Sequence, residues 1–277
     1  MDGLSKEKIF KERKIWYSHK FVLFNILECL KDKELCFLSD KSVREEHKNA
    51  HLLKAHALIF LEKHFEWINF WGYKINIYHS VAELDFIPKF SYNPKKRTKE
   101  EEYIKYKDEF LNHVTGYSFF VDFDGKSETY YEEAKEFKKI LDEYKLPYYC
   151  LNSSSKGFHF CIESKWLPDK PITKIISEIG NKIIPHIIAI YEFKSIDDGI
   201  YDIKRVKKCP YSYVCDGTIA LPLSDEQFDN FNVDMVLMKN VLKNVKLFKR
   251  GLLVRNWGLT EIELKNNVKK FFQEHIE

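Results

Sequence analysis

No part of the chain constrains the fold more than residues 119–125, which have the sequence FFVDFDG. An apolar run that ends in Asp-x-Asp is typical of a buried strand that carries two acids at its end. Residues two apart on a strand point to the same face, so we expect Asp122 and Asp124 to lie side by side while Phe123 turns into the core. Two such carboxylates repel each other, and a divalent cation relieves the repulsion. A solvated turn is the alternative interpretation.

A second informative segment follows about thirty residues later, where two strand patterns flank the turn 153–157, with the sequence SSSKG. In the second strand, Phe158, Phe160 and Ile162 should share one face, with His159 on the other. Backbone N–H groups, hydroxyls and the ammonium of Lys156 in the turn suit a phosphate. An ordinary hairpin whose serines bond their own backbone is the alternative, and a lone histidine equally suits a structural role.

The third segment places another acid after an apolar approach. Residues 195–200 have the sequence SIDDGI, and a basic stretch with a proline turn follows at residues 204–212, KRVKKCPYS. Taken alone, this basic stretch would fit a solvated face. Its order and spacing after the first two segments argue for a shared site.

Together, the three segments resemble the catalytic core of the archaeo-eukaryotic primase superfamily, which includes the small subunit of DNA primase and the plasmid and viral primase-polymerases. The family carries Asp-x-Asp at a strand end, a Ser-Gly-x-x-Gly-x-His turn and strand, and an apolar-Asp strand followed by a basic residue before Pro-x-Ser. The resemblance covers residues 117–223. Ser154 stands where the family usually has Gly, and Val214 where many members have His. Either Asp197 or Asp198 would fit as the third acid, and Asp197 is preferred for its position after Ile196.

The resemblance and the residue patterns together predict an α+β protein. Its centre would be a mixed β-sheet of the primase type (RRM-like), with helical segments on both sides. We expect an N-terminal helical and mixed region at 1–115, the catalytic core at 116–223 and a basic helical region at 224–277. Capping boxes are predicted at Thr129 with Glu132 and at Thr260 with Glu263.

The implied activity is that of a DNA primase or primase-polymerase, a template-directed nucleotidyltransferase. Its substrates would be nucleoside triphosphates and a single-stranded DNA template, and a primase large subunit or a helicase is a further candidate partner. A gap-filling repair polymerase and a catalytically weak nucleic-acid-binding subunit are the alternatives. The resemblance implies two Mg²⁺ or Mn²⁺ ions on the three acids, and nucleotide phosphates on a set of polar and basic residues. The acids are Asp122, Asp124 and Asp197, and the nucleotide-binding set is Ser153, Ser155, Lys156, His159, Arg205 and Lys208.

The net charge of +3 over 277 residues leaves any nucleic-acid surface to local clusters. Residues 236–256 contain basic side chains and no acid, interleaved with Leu, Val and Phe, and are predicted to contact the template backbone. The residues concerned are Lys243, Lys246, Lys249 and Arg250. A basic loop with Lys95, Lys96, Arg97 and Lys99 is a second candidate, and a solvated face is the alternative for both.

The cysteines and the hydropathy indicate where such a protein works. Six scattered cysteines fit reduced thiols, and the spacing of Cys29, Cys36, His47 and His51 is poor for zinc. No stretch approaches about 18 consecutive apolar residues, and the N-terminus has no signal-type segment. The expectation is a soluble, intracellular protein without a membrane partner.

Overall fold

The computed structural model describes residues 6–30, 33–39, 53–55, 75–85, 108–124, 128–199, 201–203, 205–214, 216–244 and 252–276. The strands are β1 (Lys33–Ser39), β2 (Leu53–Ala55), β3 (Ile75–Leu84), β4 (Val114–Tyr117), β5 (Phe119–Asp124), β6 (Tyr148–Ser154), β7 (Gly157–Ile162), β8 (Val206–Lys208) and β9 (Pro222–Leu223). The helices are α1 (Lys6–Tyr17), α2 (Lys20–Cys29), α3 (Tyr130–Glu143), α4 (Ile172–Glu178), α5 (Ile184–Tyr191), α6 (Asp225–Asp229), α7 (Val233–Val236), α8 (Met238–Lys243) and α9 (Glu261–Glu274).

The first sheet is built around the ten-residue strand β3. Its strand order is β2-β1-β3-β4, and β8 also pairs with β3. Strand β1 follows β3 along most of its length, whereas β4 pairs with residues 82–84 and β8 with residues 78–80. Strands β4 and β8 therefore share the other edge of β3. This pairing ties the segment after Asp197 to the N-terminal part of the chain.

The second sheet carries the predicted acids and has the order β5-β7-β6-β9. Helix α3 connects β5 to β6, which run in the same direction with β7 inserted between them, as in a split β-α-β unit. The predicted α+β class is confirmed. The expected mixed sheet is not seen, because β7 separates the two parallel strands and every strand pair among the described residues is antiparallel.

Aromatic side chains fill the core on one face of the second sheet. Phe123 of β5 and Phe160 of β7 pack against Phe137 of α3, with ring centroids 5.4–5.8 Å apart. Phe119 contacts both phenylalanines of α9 on the same face. Phe158, Phe160 and Ile162 belong to this core, as the strand pattern predicted. The apolar core is continuous through all three predicted regions, whose boundaries remain a prediction.

The two predicted capping boxes have different outcomes. Thr260 and Glu263 form the reciprocal pair of hydrogen bonds that defines the motif at the start of α9. Thr129 precedes α3 but makes no capping bond to the helix backbone. Its hydroxyl instead donates to the carboxylate of Glu133, one residue beyond the predicted partner.

The segment between α4 and α5 is a π-helix, Ile179–Ile183. Pro185 follows it in the first turn of α5. Proline cannot donate the usual backbone hydrogen bond, and a wider π turn accommodates the missing donor. The chain therefore continues as a helix through Pro185.

None of the helices within the described ranges has both the length and the apolar character of a membrane span.

Candidate active site

Asp122 and Asp124 lie at the end of β5, on the face opposite the aromatic core. Val121 and Phe123 alternate with them and are fully buried in that core. The strand is fixed on one side by β7, where Asp122 is the register partner of His159 and Asp124 that of Gly157. Gly157 allows this close approach, since a Cβ would lie 2.5 Å from the Ser153 hydroxyl and 3.1 Å from the Phe123 carbonyl oxygen and would displace the Ser153 side chain. The two acids thus share one face, as predicted.

The segment that contains Asp197 borders the other edge of β5. Phe123 and Ile196 form an antiparallel bridge. On either side of it, the Asp124 N–H donates to the Ser195 carbonyl at 2.8 Å, and the Asp197 N–H donates to the Asp122 carbonyl at 3.0 Å. This register places Asp197 opposite Asp122 on the adjacent segment, and residues in such positions point to the same face.

Glu133 of α3 anchors the segment that contains Asp197. Its Oε2 accepts from the backbone N–H groups of Lys194 and Ser195 at 2.8 and 2.9 Å, and from the Ser195 hydroxyl at 2.5 Å. Burial alone would raise the pKa of Glu133, but these bonds and the one from Thr129 lower it. No local sequence pattern marks this role, because the donors and the acceptor are 61–62 positions apart.

His159 of β7 contacts Asp122 directly. Its Nε2 lies 3.3 Å from Asp122 Oδ1, and its ring meets the edge of Phe120 at a centroid distance of 4.8 Å. Burial raises the pKa of Asp122, but His159, followed by Arg205 and Lys208, outweighs that effect and holds the pKa below its ordinary value. Asp122 is therefore an anion in a strongly cationic environment.

The two predicted cations reach the site from the first sheet. Arg205 immediately precedes β8, and its Nη2 lies 3.9 Å from Asp197 Oδ2. Lys208, at the end of β8, donates to the Tyr78 hydroxyl at 2.8 Å, and its Nζ lies 4.4 Å from that ring centroid. The acids belong to one sheet and the cations to the border of the other, so the site depends on both sheets.

The predicted phosphate turn is a tight hairpin in which Ser155 and Lys156 join β6 to β7. Its backbone donors already have partners. The Ser155 N–H donates to Asp216 Oδ2 at 2.8 Å, and the Lys156 N–H to the Ser154 hydroxyl at 3.2 Å. Asp216 was not among the predicted site residues, and its carboxylate lies where the prediction expects a phosphate. Ser153 is buried, and Lys156 is exposed.

The predicted template-binding residues can be located only in part. Lys243 is the last residue of α8 and is exposed. The other three, Lys246, Lys249 and Arg250, lie outside the described residues, as do all four members of the basic loop at 95–99.

The predicted metal ligands match a divalent cation in chemistry, since carboxylate oxygens are the donors that Mg²⁺ and Mn²⁺ prefer. The side chains do not surround a common point, however. No cluster of three or more His, Cys, Asp and Glu side chains suited to a metal occurs in the described part of the chain. Asp122 is directed to His159 and Asp197 towards Arg205, which accounts for the dispersed arrangement.

Three residues near the same carboxylates each have an unsatisfied polar atom. His159 Nδ1, Tyr201 Oη and Arg205 Nε are buried without a hydrogen-bond partner. The pKa of Tyr201 is raised by burial first and then by neighbouring charges that include Asp122 and Asp197. Buried polar atoms are normally hydrogen-bonded, so these three atoms suit a polar ligand beside the acids.

Comparisons with known proteins identify no family. No protein-family model matches the chain, and no curated protein matches it. One similar solved structure is the polymerase domain from Mycobacterium tuberculosis Ligase D in complex with DNA, at 10% sequence identity and a TM-score of 0.48. The match covers 87% of this chain and 89% of that one.

Proposed function

We propose that the protein is a template-directed nucleotidyltransferase, a DNA primase or primase-polymerase that joins nucleoside triphosphates on single-stranded DNA. The strand register around Phe123 and Ile196 is the observation that carries the proposal. It aligns Asp122, Asp124 and Asp197 on one face, in the order of segments that resembles the primase core.

In this proposal, the three carboxylates hold divalent cations, Mg²⁺ or Mn²⁺. Such ions, when bound, supply activation of a 3′-hydroxyl and neutralisation of phosphate charge. The backbone bonds between β5 and the segment at Asp197 fix the spacing of the acids before any ligand arrives. Glu133 preserves this spacing by holding the backbone at Ser195.

His159, Arg205 and Lys208 would bind the triphosphate. Each is within electrostatic reach of Asp122, and His159 and Arg205 each retain a buried nitrogen without a partner. The contact of Arg205 with Asp197 is long, and Lys208 bonds the Tyr78 hydroxyl instead of an acid. Charged and unsatisfied donors of this kind bind phosphate oxygens strongly. Ser153, Ser155 and Lys156 complete the proposed nucleotide site, provided that Asp216 yields its bond with the turn.

Primer extension on a single-stranded template tests the proposal. The full chain, labelled nucleotides and Mg²⁺ or Mn²⁺ should give templated products, and Asp122→Asn or Asp124→Asn should reduce incorporation to below a few per cent. Asp198→Asn is the matched control, because Asp198 is adjacent to the proposed ligand Asp197 but outside the aligned set. Full activity in Asp122→Asn, with unchanged thermal stability, would contradict the assignment.

The same assay distinguishes the remaining activities. Products in the absence of a primer would indicate de novo initiation, whereas products only with a primer would favour a gap-filling polymerase. DNA binding without incorporation under every metal and nucleotide condition would instead indicate a binding subunit. That outcome would overturn the proposed activity.

A further inference from the structure

A polar cavity of about 410 Å³ lies beside the proposed active site, between the two sheets. Its lining residues include Cys29, His79, Glu83, Tyr149, Ser164 and Lys207. None of the proposed metal or triphosphate ligands lines it. The ring of Phe120 contacts the His159 imidazole on the side of the active site and the Lys207 ammonium on the side of the cavity. Phe120 therefore separates the two regions. Cavities of this size accommodate small molecules.

Lys207 is a buried lysine whose described hydrogen-bond partners are a phenol and a cysteine sulfur. Its side chain is 4% exposed, and Nζ donates to the Tyr149 hydroxyl at 2.8 Å and to Cys161 Sγ at 2.7 Å. An ammonium group has three N–H donors, so one remains for another acceptor. No carboxylate of the described residues forms an ion pair with Lys207. A buried ammonium without a carboxylate in direct contact is costly, and an anion in the cavity would reduce this cost.

His79 provides an acceptor in the wall of the same cavity. It is 2% exposed, and its Nδ1 lies 2.8 Å from the Ser80 carbonyl oxygen. A carbonyl oxygen only accepts, so Nδ1 carries the proton. Burial, together with Lys207 and Lys33, holds the pKa of His79 well below its ordinary value, so Nε2 is a bare acceptor. That atom is buried and has no hydrogen-bond partner.

The other charges around the cavity are largely paired with each other. Lys33 bonds Glu83 at 2.7 Å, and Lys165 bonds Glu163 at 3.0 Å. The remaining lining carboxylate, Glu28, is exposed to solvent. Lys207 and His79 therefore remain as the groups that a ligand must satisfy. The ligand must accept a hydrogen bond from an ammonium and donate one to an imidazole nitrogen. A fully deprotonated anion meets only the first requirement.

We propose that this cavity is a binding site for inorganic phosphate. Hydrogen phosphate is an anion that accepts from Lys207 through its oxygens, and it retains a P–OH group at neutral pH that donates to His79 Nε2. Sulfate is also a tetrahedral anion of similar size and charge, but it carries no hydrogen at neutral pH. The site should therefore prefer phosphate over sulfate. This inference does not depend on the proposed polymerase activity.

Calorimetric titration of the full chain in a phosphate-free buffer tests the site, with sulfate at matched ionic strength as the competitor. Phosphate should bind and raise the melting midpoint, and sulfate should bind at least about tenfold more weakly. Lys207→Met should weaken phosphate binding by roughly ten- to a hundredfold, because one charge-assisted hydrogen bond is lost. His79→Phe should lower phosphate affinity to that of sulfate and leave sulfate binding unchanged.

Two control variants distinguish this cavity from other anion sites. Lys165→Met removes a cavity cation that already has a carboxylate partner and is 62% exposed, so phosphate affinity should persist. Lys208→Met removes a cation of the proposed triphosphate site; any phosphate bound there should be lost in this variant, whereas the binding that depends on Lys207 should persist. Loss of binding in Lys208→Met but not in Lys207→Met would overturn the proposal. Equal binding of phosphate and sulfate by the unaltered chain would also overturn the proposal. This test does not require that the two cavity variants fold.

Discussion

Replacing Glu133 should damage the proposed active site from a distance, because its carboxylate holds the backbone beside Asp197. Three donors converge on one carboxylate oxygen, at 2.5–2.9 Å. A hydrogen bond to a charged group is worth about 1.5–3 kcal/mol, but Glu133 is partly exposed and water can replace some of this. We therefore expect Glu133→Ala to cost about 1–3 kcal/mol in total. For a chain of this size, the melting midpoint should fall by roughly 2–10 °C.

The decisive measurement is nucleotide incorporation at a temperature where the variant remains folded. If Glu133 positions Asp197, kcat should fall at least about tenfold in Glu133→Ala, with a smaller loss in Glu133→Gln, whose amide oxygen can still accept. The concentration of Mn²⁺ needed for half-maximal rate should also rise, which a purely structural role would not require.

Glu136→Ala is the matched control on the same helix. Glu136 forms an exposed pair with Lys139 at 2.9 Å, and exposed pairs contribute less than about 1 kcal/mol. This variant should retain both stability and incorporation. If Glu133→Ala lowered the melting midpoint but kept the full kcat and the same Mn²⁺ requirement, the positioning role would be refuted.

Three further predictions concern other parts of the molecule. Asp216→Asn should increase triphosphate affinity several-fold, because it removes a negative charge from the Ser155 turn; unchanged affinity would show that this turn does not bind phosphate. Burial lowers the pKa of His79 in the folded chain, so the unfolded chain takes up this proton more readily. The free energy of unfolding should therefore fall as pH drops below about 6.5, by up to about 1.4 kcal/mol per pH unit. Chemical denaturation of His79→Phe should show a shallower decline, and an identical pH profile would contradict the assignment. Alanine at the four basic positions should reduce the slope of log affinity for single-stranded DNA against log salt by about 0.7 per lost phosphate contact, whereas an unchanged slope would indicate a solvated face. These positions are Lys243, Lys246, Lys249 and Arg250.

Local patterns in the sequence were sufficient to predict the strands that carry the acids. The alternation around Phe123 and that around His159 are properties of short segments, and both strands form where expected. The pairing of these strands was harder to predict. A β-α-β connection suggests a parallel pair, but the insertion of β7 between β5 and β6 makes the observed pairs antiparallel.

Contacts across long sequence separations account for what the sequence did not reveal. Glu133 and Asp216 each bond a backbone segment about 61 residues away, and no periodicity marks such a partner. The predicted capping box at Thr129 did not form, because Glu132 pairs with Lys135 and the Thr129 hydroxyl bonds Glu133, which also holds the segment at Ser195. The roles of the acids and cations as ligands remain predictions.

The pairing of β8 with β3 also has a consequence for the order of folding. The register joins Ser80 to Val206, so a loop of well over a hundred residues must close before Arg205 and Lys208 reach their final positions. The hairpin of β6 and β7 needs only a two-residue turn and can form early. Contacts of high sequence separation generally form late, because closing long loops costs entropy. The acids and His159 should therefore assemble before Arg205 and Lys208 arrive, and a partly folded chain would hold the carboxylates with only one of the three side chains proposed to bind a triphosphate.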